Sequence, residues 1–195
     1  MNRSKMQTGK MAIHSDEELM RFICIGEPEA FDELYHRYAK RLMVYFYRML
    51  DYDKARAEDA VQDVFMKLAE KPEIFDRNRS FKTWVFSVAS NYCKNHYRHR
   101  TVMNGAATEL KYASEETNDH HMTIGNIDAK FFRLMLERHL LELSFEKREV
   151  FLLKYQEDKS VAEIAEIQQV SEGTVKSRLH YACSALADKM QDYKP

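Results

Sequence analysis

The chain has 195 residues, 45% hydrophobic and 31% charged, with 30 basic against 31 acidic side chains and a formal net charge of −1. That length holds one medium domain or two small ones, and no run of about 18 apolar residues is present to span a membrane, so no membrane insertion is expected. Cys24, Cys93 and Cys183 are scattered, odd in number and lack metal-ligand spacing, which fits reduced thiols in a cytoplasmic protein and excludes a disulfide frame, a metal site or a resident cofactor built on them.

Residues 1–14 read as an N-terminal tail, and the opening MNRSKMQTGKMAIHSDEE has no apolar core of the kind a secretory signal needs. Ser15-Asp-Glu-Glu18 is a capping box that opens a helix ending near Gly26. Pro28 starts a second helix, with Phe31, Leu34, Tyr35, Tyr38, Leu42, Tyr45, Phe46 and Met49 at three- and four-residue steps. A third helix runs from about Lys54 to Glu70 with Val61, Val64, Phe65 and Leu68 inward, and Pro72 ends it. Ser80 can cap a fourth helix reaching about Arg100, whose positions 81, 84, 85, 88, 89 and 92 form an apolar stripe. Ser87, Asn91, Lys94, Asn95 and Arg98 form a polar stripe on the same helix. Trp84 shares the apolar stripe, which favours a core role over a stacking one.

Residues 101–128 are polar, hold two of the five glycines and lack periodicity, so they read as an acidic flexible linker. The adjacent His120 and His121 have no further ligands nearby in sequence and read as solvated. Helices follow at about 129–142, 145–156, 160–167 and 171–190, and no strand is required. The predicted fold is therefore all-α: two small helical domains, 15–100 and 129–190, joined by the linker.

Charge is distributed unevenly. Residues 77–100 hold Arg77, Arg79, Lys82, Lys94, Arg98 and Arg100 and no acid, whereas residues 51–76 hold eight acids against four bases. A near-neutral chain of this bipolar kind binds duplex DNA weakly by itself, because affinity comes from neutralising phosphates.

The last domain has the form of a helix-turn-helix, which lays its second helix in the major groove. Ser160-Val-Ala-Glu163 is a capping box, Ile164, Ala165 and Ile167 face inward, and Gln168-Gln169-Val170 makes the turn. Gln169 occupies a position of positive φ that favours Gly, a cost of about 1 kcal/mol. Ser171 caps the recognition helix, and Val175, Leu179 and Leu186 hold it to the domain. Thr174, Lys176, Ser177, Arg178, His180 and Tyr181 are left outward, and with Ser171 they are the candidate DNA contacts. Arg and Lys bond guanine or phosphate, Ser and Thr bond either, and Tyr offers apolar contact and a hydroxyl.

AEDAVQDVFMKLAE (57–70) and FKTWVFSVASNYCKNHYRHR (81–100) resemble region two, and REVFLLKYQEDKSVAEIAEIQQVSEGTVKSRLHYACSAL resembles region four, of bacterial extracytoplasmic-function (ECF) sigma factors. The resemblance implies a dissociable subunit that binds core RNA polymerase and directs promoter recognition, promoter melting and transcription initiation. It implies that Asp59, Gln62, Asp63 and Met66 dock on the clamp coiled coil of the largest polymerase subunit; spacing alone favours an ordinary acidic solvated face. Asp59 and Asp63, at i and i+4, repel slightly unless a basic partner covers them. It implies that Asn91 lies near a flipped base of the minus-ten element and that Lys94, Asn95 and Arg98 continue that face, with Arg77, Arg79 and Lys82 available to phosphates. Opening duplex costs roughly 1.4 kcal/mol per base-pair step, which trapped bases and cations offset. The recognition helix would read the minus-thirty-five element, although Tyr181 and Cys183 stand where relatives often carry arginine. A cognate anti-sigma factor is a further implied partner.

No phosphate loop, metalloprotease pair or nucleophile constellation occurs, so an enzyme is not expected. A plain helix-turn-helix regulator acting without polymerase would account for residues 144–190 but leave the first half without a purpose.

Overall fold

The computed structural model describes residues 11–104 and 124–193. They form eight helices, with no strand among the described residues: α1 (Asp16–Cys24), α2 (Pro28–Met49), α3 (Lys54–Glu70), α4 (Phe81–Asn104), α5 (Ile124–Leu141), α6 (Phe145–Tyr155), α7 (Val161–Gln168) and α8 (Glu172–Lys189). Short 3-10 turns follow α3 at Pro72–Ile74 and α8 at Gln191–Tyr193. The described residues fall into two compact units, one within Met1–Ala107 and one within Thr108–Pro195. Among them no helix is long and apolar enough to cross a membrane.

The first unit is built outward from its caps. The Ser15 hydroxyl accepts from the Glu18 N–H at 3.2 Å, and the Glu18 carboxylate accepts from the Ser15 N–H at 2.8 Å, the reciprocal box that starts α1. Gly26, at φ +89°, makes the turn into α2, where Pro28 stands in the first helical turn. Asp16 receives bonds from the Arg37 guanidinium and the Tyr38 hydroxyl, so α1 is fastened to α2 by charge as well as by Leu19 and Met20. Arg37 also donates to the carbonyls of Ala12 and His14, each at 3.0 Å, which ties the end of the expected tail to α2. Residues 1–10 lie outside the described residues.

The core joins α2 and α4 through aromatic edges. Tyr45 meets Phe86 at 5.5 Å and 86°, and Phe81 meets Tyr38 at 5.2 Å and 74°, the edge-to-face geometry that ring quadrupoles favour. α4 departs from the expected pattern in two ways. It continues to Asn104 rather than ending near Arg100, since no breaker precedes Gly105 and the Thr101 hydroxyl donates to the Tyr97 carbonyl at 2.9 Å. Its buried face is also wider than one stripe: Phe86 is fully buried, and Ser87 is buried beside it, its hydroxyl donating back to the Thr83 carbonyl at 3.0 Å. α1, α2 and α3 all pack on α4, so a helix read as two-faced is enclosed on several sides in its first half. The outward polar stripe starts at Asn91, not at Ser87.

In the second unit α5 begins at Ile124, ahead of the expected start near 129. The core gathers Phe145, Leu152 and Leu153 of α6, Ile164 and Ile167 of α7, and Val175, Ala182 and Leu186 of α8. The linker between the units, including His120 and His121, lies outside the described residues apart from its two helical ends.

Candidate nucleic-acid interface

The polar surface of the first unit is laid out by α3 and α4. Ala57, Ala60, Val61, Val64, Phe65 and Leu68 are buried, which turns Asp59, Gln62, Asp63 and Met66 to the outside at i, i+3, i+4 and i+7. Met66 is 56% exposed, so the stripe pairs two carboxylates and an amide with an open apolar side chain. Beneath it Phe65 is braced by Tyr35 at 4.7 Å and Phe31 at 5.9 Å. The field of this stripe reaches α4: burial, and then the charges of Asp63 and Asp59, push the Tyr92 hydroxyl above its usual pKa.

On α4 itself Asn91, Asn95 and Arg98 are exposed and share a face, with Lys94 half-buried between them and engaged with neighbours. The loop before α4 folds on Asp76, whose carboxylate accepts from the Asn78 N–H at 3.0 Å and whose carbonyl accepts from the Arg79 N–H at 3.0 Å. This turn exposes Arg77 and leaves Arg79 half-buried, while Lys82 sits half-buried in the first turn of the helix. The N-terminus of α4 is seated by another element: the Phe81 N–H donates to Glu17 Oε1 of α1 at 2.9 Å. A carboxylate there meets both an open N–H and the positive end of the helix dipole. Trp84 belongs to the core, 7% exposed and packed on Phe75 and Phe81 at 5.5 and 5.6 Å.

The far half of α4 is braced by the turn between α2 and α3. Asp51 and Tyr52 hold left-handed φ values of 58° and 63°, which costs non-glycine residues of order 1 kcal/mol each. Asp51 pairs with Arg100, and the Arg56 guanidinium lies 3.0 Å from His96 Nε2. Burial, followed by the charges of Arg56 and Arg100, holds the His96 imidazolium below its ordinary pKa, so a neutral ring accepts from Arg56.

The second unit presents a helix-turn-helix. α7 starts with a full capping box between Ser160 and Glu163 and ends at Gln169, whose φ of 58° and ψ of 47° are left-handed as the sequence required. The Val170 N–H donates to the Ala165 carbonyl at 3.0 Å across that turn. Burial raises the Glu163 carboxyl, but the Ser160 N–H and hydroxyl and the Lys159 ammonium outweigh it and bring its pKa down to about 2. Lys159 itself is fully buried, with its Nζ 3.2 Å from Glu163.

The expected contact residues at the cap of α8 and along it divide into three groups. Lys176, Ser177, His180 and Tyr181 are exposed, with the Lys147 ammonium 5.6 Å from the Tyr181 ring centroid. Ser171 and Thr174 are occupied at the start of the helix, the Ser171 hydroxyl accepting from the Thr174 N–H at 3.2 Å and pairing with its hydroxyl at 2.9 Å. Arg178 is half-buried rather than fully outward: its Nη1 donates to Gln168 Oε1 at 2.7 Å. Gln168, expected in the turn, is the last residue of α7 and 5% exposed, and its Nε2 donates to Glu149 Oε2 of α6 at 2.6 Å. Sequence reasoning missed this chain of three. The available signal was an acid directly ahead of the apolar run of α6, at Glu149, and a glutamine four residues beyond Ile164 on the inward face of α7.

Comparison with known proteins places both units. Residues 34–102 match the family description Sigma-70 region 2, and residues 133–186 match Sigma-70, region 4. The chain is 34% identical over 160 residues to the ECF RNA polymerase sigma factor SigL of Mycobacterium tuberculosis, covering 82% of this chain and 88% of that one. It is 29% identical to the ECF RNA polymerase sigma factor SigW of Bacillus subtilis, covering 86% and 92%. Its fold is similar to that of CnrH, solved in complex with the cytosolic domain of CnrY (TM-score 0.67, 22% identity, covering 92% and 99%). It is also similar to RpoE of Bartonella quintana, solved with the anti-sigma factor NepR (TM-score 0.66, 22% identity, covering 83% and 96%).

Proposed function

The chain belongs to the ECF sigma factors of RNA polymerase and directs transcription initiation, and on that premise we propose how its surfaces divide the work. Residues 15–100 form the unit that meets core polymerase and the minus-ten element. The α3 stripe of Asp59, Gln62, Asp63 and Met66 docks on the clamp coiled coil of the largest polymerase subunit. Carboxylates steer a basic partner, and Met66 supplies apolar area at the contact.

α4 holds the opened minus-ten strand. Asn91 donates to and accepts from the edge of an unstacked base, while Lys94, Asn95 and Arg98 follow the strand away from it. Arg77, Arg79 and Lys82 lie at the other end of the helix, where they meet phosphates. Residues 129–190 place α8 on the minus-thirty-five element through Lys176, Ser177, Arg178, His180 and Tyr181, with Ser171 and Thr174 setting the start of the helix. The segment 101–128 tethers the two. The protein acts in the cytoplasm, without catalysis of its own, and a cognate anti-sigma factor masks these surfaces; RpoE of Bartonella quintana is a similar fold solved in complex with an anti-sigma factor.

The observation that carries this reading is the pair of outward faces on α3 and α4. One is acidic with an exposed methionine, the other carries amides and cations, and both rest on one aromatic core. The deciding experiment is reconstitution with core polymerase stripped of its own specificity subunit, followed by sequencing of transcript starts. Starts clustered behind a shared pair of promoter elements are the expected result. Starts no more selective than those of core alone would overturn the proposal.

A further inference from the structure

Glu149, Gln168 and Arg178 bring together three helices of the second unit in a line: a fully buried acid on α6, a buried amide closing α7 and a half-buried guanidinium on α8. The chemistry of the three groups permits a single arrangement. A guanidinium only donates and a carboxylate only accepts, so the amide between them must turn its NH2 to Glu149 and its oxygen to Arg178. The distances of 2.6 and 2.7 Å are those of charge-assisted bonds at both ends.

From this geometry we infer that Gln168 is a positioning residue for promoter discrimination: a neutral relay that fixes the Arg178 guanidinium from the core while leaving its charge intact for DNA. A direct Glu149–Arg178 pair would hold the guanidinium equally well. It would also neutralise it, and a cation already paired with a carboxylate has less to give a phosphate or a guanine edge. An interposed amide transmits direction without cancelling charge. The relay also narrows the rotamers of a flexible side chain before DNA arrives, so less freedom is lost when the contact forms. Gln168 lies at the end of α7, immediately before the left-handed Gln169, so the turn that sets the angle between α7 and α8 also sets the height of the amide beneath Arg178.

The inference rests on the reading of α8 as the minus-thirty-five helix, and a double-mutant cycle separates the two. The full chain is reconstituted with core polymerase, and affinity is measured on a promoter with the selected minus-thirty-five element and on one with that element scrambled. Gln168→Met keeps the length and burial of the side chain but removes both polar ends. It is expected to reduce discrimination between the two promoters on the order of fivefold, and to cause no further loss when combined with Arg178→Ala. Glu149→Gln is the second probe, since an amide at 149 can donate as well as accept and frees Gln168 to flip; it should weaken discrimination in the same Arg178-dependent way. Thermal unfolding of each variant shows that the unit is folded. Equal losses with and without Arg178, or no loss in either background, overturn the relay. If Arg178→Ala alone discriminates as well as wild type, the recognition-helix reading fails, and the relay with it.

Discussion

Glu163 joins a helix cap to a buried cation, and both favour its ionised form. Its carboxyl lies at about 2 in the folded chain against an ordinary value of 4.5. The folded state therefore prefers the ionised form, and the associated stability is present above about pH 4.5 and lost as pH falls toward 2. A helical signal followed through an acid titration should drop across that window and drop less steeply in Glu163→Gln; coincident curves would contradict the assignment. At neutral pH Glu163→Ala should cost more than the ~1 kcal/mol of a lost cap, because the buried Lys159 ammonium loses its carboxylate as well. Arg178 is the residue at which reading and positioning meet. Arg178→Ala should lower transcription from a cognate promoter roughly tenfold, in the 1–3 kcal/mol range of one good base contact, while co-purification with core polymerase is unchanged.

At the level of elements, α1 holds the first unit together although it contributes none of the proposed contacts. Asp16 binds Arg37 and Tyr38, Glu17 caps α4 and Glu18 completes the box that starts α1, so three successive acids have three separate tasks. Glu17→Ala should leave the Phe81 N–H without this acceptor and lower stability by about 1 kcal/mol, read as a fall in the urea midpoint at constant slope. Glu17→Gln, whose amide oxygen can still accept, should restore most of it. α3 offers the complementary test of surface as opposed to support. Asp63 is exposed and outside the core, so Asp63→Arg should preserve folding yet weaken association with core polymerase about tenfold by reversing the charge presented to it. Wild-type affinity in a binding titration would remove this stripe from the interface.

For the whole molecule, the net charge of −1 governs behaviour away from polymerase. Cations on α4 and α8 are offset by acids elsewhere in the chain, so counterion release on duplex is small. The free protein should bind promoter duplex no better than about micromolar at physiological salt, the range of non-specific contacts. A nanomolar shift of naked promoter in a gel would instead describe a regulator that needs no polymerase. The described residues form two compact units, so on the proposed reading each promoter element is met by a unit with its own core.

The periodicity of Phe31 to Met49, the capping boxes at Ser15 and Ser160 and the left-handed turn at Gln169 were legible because each is a local matter of spacing or φ within about one helical turn. So was the exposure of Asp59, Gln62, Asp63 and Met66, since the apolar positions Val61, Val64, Phe65 and Leu68 on the opposite side of α3 dictate it. What the sequence left open depends on partners distant along the chain. Ser87 lies in the core because three helices surround α4, and the cap of α4 comes from Glu17, sixty-four residues earlier. Glu149 and Arg178 are joined through Gln168, nineteen residues after Glu149. A polar side chain carries no local mark of whether it will face water or a buried partner; only packing chooses, because burial makes an unpaired polar group costly and so selects the acceptor within reach.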